Sequence, residues 1–348
     1  MRGFRKTCLS VLCVLCMLGL VSAASLGLYY HSDLQYYMDA GQRASLAGTL
    51  DALIIGSSHG WYGISTQILD EESGVCSYNL SGGVMPVQAK LTLLEKELKR
   101  NPVKTVLIEI TCDSMRRDSG ADFAEGDEAF IARLDTWGER LDYLRGLSPN
   151  DWVNVYSRAL LRGFQCWLQL LKGGGGKSLV KGYYPHEAND ISIPAGQIAG
   201  ACQSERYSLE GYLQENMDGY SDLIALCRQY GAEPVVLVAP VSDRMNWTMA
   251  GLQDFHDWLS AFCAERDCPF YDFNLLIDRY ALLNDRQSFL DAGHLSQTGA
   301  EAFTGKLAAV LSKAAAGEST EGCFYADYDQ MLADSPYARV DPEGTKGD

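Results

Sequence analysis

Two short stretches at opposite ends of the chain hold the residue types of acyl-transfer chemistry. LIIGSSHGWYGI (53–64) places Ser57, Ser58 and His59 on a turn behind an apolar run. FLDAGHLSQTGAEAF (289–303) places Asp291 and His294 three apart, in a glycine-containing loop ahead of a helix that Ser296 can cap. A serine hydroxyl is a weak nucleophile until a base takes its proton, and an imidazole base needs a third group to fix its tautomer. His59 is poorly placed as that base, because adjacent residues on a tight turn usually point their side chains apart. In the second stretch a carboxylate can reach the imidazole while the free ring nitrogen faces across the sheet edge. Either stretch alone reads as a polar turn or a capping loop. Two of them, each at a predicted sheet edge, favour a Ser–His–Asp arrangement.

The elements that must position these residues alternate. Short apolar runs at 51–56, 75–80, 103–110, 233–239 and 269–273 read as buried strands, with helical patterns at about 86–100, 207–230, 248–266 and 297–314 between them. Strands separated by helices imply βαβ units and a parallel sheet covered on both faces. The carboxyl edge of such a sheet is where open α/β folds bind ligands, and Ser58 falls on it. The stretch 113–206 breaks the rhythm with an aromatic helix (152–172) and a glycine run. It is expected as an insertion between sheet strands, a lid or a membrane-facing cap. Residues 31–50 read as a short connecting helix, and past Ala316 the tail is acidic, rich in small residues and expected to pack poorly.

The chain has 348 residues, 47% of them hydrophobic and 21% charged, which is a globular composition with length for a full core. The net charge of −16 includes Arg2, Arg5 and Lys6, the only charges in residues 1–30. The remainder carries 26 basic and 45 acidic side chains. Such a balance argues against a nucleic-acid partner, which would need a basic face. Behind the three cations, Thr7–Tyr30 runs 24 residues without a charge, long enough to cross a bilayer as a helix. That length favours an uncleaved membrane anchor, whereas Ser22, Ala23 and Ala24 in VSAAS fit a signal peptidase. In both cases the positive-inside bias puts residues 31–348 outside the cytoplasm.

Other motifs are excluded. KGGGGKS (172–178) lacks the first glycine of a phosphate loop, since Leu171 stands there, and a helix precedes it instead of a strand; it reads as a linker. Eight of the 11 cysteines lie beyond the N-terminal segment without a C-x-x-C pair, so neither a zinc site nor any other metal or cofactor is expected. Cys76, Cys112, Cys166 and Cys227 sit in apolar contexts that suit free thiols. His31, His186 and His256 have no motif around them and are assigned surface or structural roles. Trp61 and Tyr62, just past the serine turn, either line an acyl or sugar pocket or pack in the core.

The paired blocks GSSH and DAGH resemble those of the SGNH/GDSL hydrolase superfamily, over about 50–115 and 207–314. The resemblance implies a three-layer α/β/α, flavodoxin-like fold with a central parallel sheet, behind an N-terminal transmembrane helix. The nucleophile maps onto Ser58, with Asp291 and His294 completing the triad. It is nearest to membrane-anchored members such as the D-alanine transfer protein of teichoic acid synthesis and alginate O-acetyltransferases. Those imply a serine esterase or O-acyltransferase acting on an acyl ester or cell-envelope polysaccharide, with a membrane-bound acyl-donor protein as a partner. A catalytically degenerate domain that binds glycan is the alternative. The second family block falls on YNLSGGVMP (78–86), so the backbone N–H groups of Ser58 and of Gly82 or Gly83 are the expected oxyanion donors. The third block departs from the pattern. TCDSM (111–115) has no asparagine; Thr111 can donate a hydrogen bond, and ionised Asp113 would repel an oxyanion.

Overall fold

The structure is a computed structural model that describes residues 2–31, 40–116, 121–173 and 179–338. The chain divides into two compact units, one of Met1–Gly41 with Gly120–Ser178, the other of Gln42–Ser119 with Leu179–Asp348. Of the stretch expected as an insertion, residues 120–178 thus group with the N-terminal helix, while the part from Leu179 onward belongs to the α/β unit.

The second unit is built on seven strands: β1 (Ala52–Ile55), β2 (Ser77–Asn79), β3 (Thr105–Glu109), β4 (Glu205–Arg206), β5 (Glu233–Val238), β6 (Met249–Ala250) and β7 (Phe270–Asp272). Five of them form one sheet in the order β2-β1-β3-β5-β7, and every pairing is parallel. The chain leaves β1 toward one neighbour and later returns to the other side of it, so the strand order reverses between β1 and β3. In doubly wound sheets the crevice at such a switch point takes the ligand. β1 is buried along its whole length, and β3 and β5 are buried past their first residue, as their apolar runs require of a sheet covered on both faces.

On one face Ile54, Leu107, Val235 and Leu237 pack with Ala300, Phe303 and Leu307 of the helix Gln297–Ala315. Complete burial of a side chain such as Phe303 contributes about 1.5–3 kcal/mol. That helix also packs on Thr66–Ser73, whereas Val87–Arg100 packs with Gln214–Gln229 in a separate pair. Strand side chains alternate between faces, so Leu53, Val106 and Val236 meet this second pair.

Three expectations change in detail. The pattern at 207–230 becomes a helix only from Gln214, because Gly211 adopts a left-handed φ of 85° and Tyr207 turns its hydroxyl onto the Cys112 carbonyl at 2.8 Å. The pattern at 248–266 starts at Leu252, since β6 pairs with β4 and Gly251 (φ 86°) turns the chain first. The tail packs as far as it is described. Tyr328, Met331 and Tyr337 are buried, and the hydroxyls of Tyr328 and Tyr337 donate to Asp272 (3.0 Å) and Asp285 (2.6 Å). Its composition hides these apolar anchors among acidic and small residues. Residues 32–39 of the connecting segment, 174–178 of the glycine linker and 339–348 of the tail lie outside the described residues; Ala40–Ser45 is helical.

In the first unit the helix Arg2–His31 packs along Pro149–Leu171, with Ala121–Arg133 and Trp137–Gly146 beside them. Gly163 sits directly over the backbone carbonyl of Ser25, where any side chain would collide. The Tyr29 hydroxyl donates to the buried Glu128 at 2.8 Å.

Candidate active site

Ser58 is the first residue of a short helix, Ser58–Gly63, which begins three residues past β1. Ser57 caps it by accepting from the His59 N–H at 3.1 Å. Beneath the turn lies Glu109, the last residue of β3, fully buried. Its Oε2 accepts from the Ser57 N–H (2.7 Å) and the Ser57 hydroxyl (2.8 Å). The approach is possible only because Gly56 has no side chain: a Cβ there would lie 2.5 Å from Oε2. Burial pushes the Glu109 carboxyl pKa up, and the bonds from Ser57, the Lys90 charge and the Gly60 N–H only partly offset it. From the other neighbour of β1, Asn79 at the end of β2 donates to the carbonyls of Gly60 (2.8 Å) and Ile64 (3.1 Å). The strands on either side of β1 therefore each send one buried polar side chain to the nucleophile helix.

The base arrives from the sequence-distant helix Gln297–Ala315. Ser296 caps it by accepting from the Gly299 N–H at 3.3 Å. Its Thr304 hydroxyl accepts from the Ser65 N–H at 3.0 Å, which joins this helix to the end of the nucleophile helix. The loop before the cap is held by the Ser242 hydroxyl, which donates to the Ala292 carbonyl at 2.7 Å. His294 Nε2 then lies 2.8 Å from Ser58 Oγ, and its Nδ1 lies 2.9 Å from both oxygens of Asp291. Asp291 also accepts from the N–H groups of Gly293 (2.9 Å) and His294 (3.0 Å). Burial tends to raise the Asp291 pKa, but the imidazole bond, the imidazole charge and these two N–H groups outweigh it and hold the carboxyl at about 2. An ionised Asp291 against Nδ1 fixes the proton there and leaves Nε2 basic toward Ser58.

The remaining expected residues fall as follows. Gly82 gives its N–H to the Gly56 carbonyl at 3.4 Å, whereas Gly83 borders Ser58, a Cβ on it lying 3.9 Å from that of Ser58. Val84, immediately after, holds a φ of 51°, an uncommon conformation for a β-branched residue. Thr111 is drawn into a capping box with Ser114, its Oγ1 2.9 Å from the Ser114 hydroxyl. Trp61 is buried and stacks with both Tyr62 and Tyr184, so it packs in the core. Tyr62 stands edge-on to His294 at 5.2 Å and to His186 at 4.7 Å. His186 therefore neighbours the site, while His256 pairs with the buried Asp272 at 3.1 Å. The sequence reading missed Glu109, Asn79, Tyr184 and His186. For the first two the available signal was a polar residue closing an apolar strand that neighbours β1.

Among the described residues no group of His, Cys, Asp or Glu is arranged to hold a metal ion, and the described cysteines are free thiols. No protein-family model matches the chain, and no curated protein matches it. Among solved structures it is similar to a GDSL-like lipase from Bacteroides thetaiotaomicron, at 9% identity and a TM-score of 0.40, covering 81% of this chain and 100% of that one. A provisionally assigned acylhydrolase from Bacteroides fragilis is similar at 9% identity and a TM-score of 0.39, covering 79% of this chain and 95% of that one.

Proposed function

We propose that the α/β unit is a serine esterase or O-acyltransferase, with Ser58 as nucleophile, His294 as general base and Asp291 as its orienting carboxylate. The observation that carries this reading is the 2.8 Å contact between Ser58 Oγ and His294 Nε2, made across 236 positions of sequence. Ser58 attacks the acyl carbonyl carbon as its proton passes to Nε2. The tetrahedral oxyanion is met by the backbone N–H groups of Ser58 and Gly83; the Gly82 N–H is turned to Gly56. Collapse expels the alcohol, which takes the proton from His294, and leaves an ester on Ser58. His294 then deprotonates water or a sugar hydroxyl, which attacks the ester and restores the serine. Glu109 and Asn79 position the nucleophile helix without touching the reacting atoms.

The N-terminal helix contains an apolar span, Ser10–Tyr30, that is the described segment long and apolar enough to cross a membrane. With Arg2, Arg5 and Lys6 on the cytoplasmic side, the site would face the cell envelope, and an acylated envelope polysaccharide is the substrate we favour. One observation favours a second reading, a domain that binds glycan without turnover. Thr111 stands where a further oxyanion donor would be expected, and its hydroxyl oxygen accepts from the Ser114 N–H at 3.3 Å and lies 2.9 Å from the Ser114 hydroxyl. Loss of one such donor typically costs about 10²–10³ in rate. A fluorophosphonate probe separates the two readings. Labelling of the wild type that disappears in Ser58→Ala supports the enzyme; an unlabelled wild type supports the binding domain. Release of acid from a chromogenic ester, measured with and without added oligosaccharide, then separates hydrolysis from transfer.

A further inference from the structure

Large apolar side chains exposed to solvent are not spread over this molecule. Among the described residues, eight lie on the N-terminal helix between Val11 and Val21, ten lie within 137–171, and Val180 and Ile277 are the two found in the α/β unit. Most of the second group sits on the helix Pro149–Leu171, which packs along the N-terminal helix.

At 3.6 residues per turn this helix has three sides. One carries Val155, Ala159, Gly163 and Cys166, all buried, with Gly163 against the Ser25 backbone and the exposed Trp152 and Leu170 at its two ends. A second carries Val153, Leu161, Phe164, Trp167, Leu168 and Leu171, all exposed. The third is polar and carries Arg158, Arg162, Gln165 and Gln169; both arginines reach the buried Glu128, at 3.4 and 3.6 Å. From Ala159 to Leu171 the sole charge is Arg162, so the apolar side carries none. An apolar stripe beside a polar one, with tryptophan among the apolar residues, is the pattern of a helix lying in a membrane interface. The polar side argues against a second full crossing.

We infer that the Leu161–Phe164–Leu168 side of this helix is buried in the acyl-chain boundary of the bilayer that takes the N-terminal helix, so that the first unit is held to the membrane at two places. The inference rests on reading the N-terminal helix as an anchor. The occupant is lipid because the apolar side belongs to a helix packed on the anchor itself, and a bilayer surrounding one reaches the other.

The test uses the full chain in phosphatidylcholine vesicles with and without brominated acyl chains, which quench tryptophan on contact. Phe164→Trp adds a reporter to the apolar side and Gln165→Trp adds one to the polar side. The emission gained over wild type should fall at least twofold in brominated vesicles for Phe164→Trp, and by less than a third as much for Gln165→Trp. Trp167→Phe, a conservative change at an exposed position, should reduce the bromine-sensitive emission of the wild type, in which Trp137 and Trp152 are also exposed. Equal quenching at 164 and 165 overturns the sidedness. No quenching at either, in protein that floats with the vesicles after a carbonate wash, overturns the lipid contact and leaves the face to a protein partner. Protein that does not float defeats the anchor reading, and this inference with it.

Discussion

The two halves of the candidate site are held in opposite ways. The nucleophile side is fixed from below by fully buried polar groups on neighbouring strands, with Glu109 on Ser57 and Asn79 on Gly60 and Ile64, and by glycines that leave no spare volume. The base side is a surface loop. The Asp291 side chain is 54% exposed, that of His294 is 24% exposed, and their mutual bonds span four residues. Buried, strand-borne groups set position within a core that cannot yield. Local loop bonds set orientation at little cost to the fold. Changes on the nucleophile side should therefore alter stability and activity together, and changes on the base side should alter activity nearly alone.

The widest separation is expected for Ser58→Ala and His294→Ala. Each should lower ester turnover by about 10⁴-fold or more, since triad members act as a unit, and leave the melting temperature within a few degrees of wild type. Turnover within tenfold of wild type in either variant would break the assignment of that side. Asp291→Asn comes next. The amide cannot hold Nδ1 protonated as a carboxylate does, so kcat should fall by roughly 10²–10⁴-fold with KM little changed. The same carboxylate gives a pH signature. Its folded pKa of about 2 lies below the ordinary 3.8, so the stability it contributes is complete above about pH 4 and is lost as pH falls toward 2. In Asp291→Asn the acid limb of a denaturation curve should be shallower by that part.

Glu109 tests the buried side. Glu109→Ala removes the acceptor for both Ser57 donors and leaves a hole under the turn; a loss of about 10²-fold in kcat is expected, together with about 2–4 kcal/mol of stability. Glu109→Gln keeps a carbonyl in place and should recover kcat to within about tenfold. If both the Ala and Gln variants were as active as the wild type, the Glu109 side chain would not be positioning the serine. The folded pKa of Glu109 is raised above 4.5, so its contribution to stability is present below that value and falls as pH rises through the folded pKa. Thermal unfolding above about pH 4.5 should therefore be less pH-sensitive in Glu109→Gln than in the wild type.

This division also explains what could be read from the chain alone. The strands were legible because two-sided burial demands unbroken apolar runs, and β1, β3 and β5 carry them. Asp291 and His294 were legible because their bonding is local, so that spacing in sequence is spacing in space. Glu109 and Asn79 were not, because their partners lie across the sheet, and a polar residue after an apolar run reads simply as the end of a strand. The Thr111 hydroxyl was legible as a polar group after β3, but its capping box with Ser114 was not. Tyr184 and His186 follow a glycine linker that gives no hint of the aromatic cluster they join around Tyr62. The grouping of 120–178 with the N-terminal helix includes Gly163 against Ser25, a contact between small residues that periodicity does not mark.

The smallest effect is expected at His59, and it sharpens the comparison because this residue sits between the halves. Its ring lies 4.9 Å from that of His294 at an angle of 57°, and a Cβ on Gly293 would come within 3.3 Å of it. These are packing contacts against the exposed loop. Removal of the ring in His59→Ala gives the His294 loop more freedom but leaves both the 2.8 Å bond to Ser58 and the Asp291 bonds available. Because orientation on that side comes from Asp291 and not from the core, kcat should drop only about two- to fivefold, with KM nearly constant. A loss on the scale of His294→Ala would mean that the imidazole beside the serine in sequence, and not the one beside it in space, takes the proton.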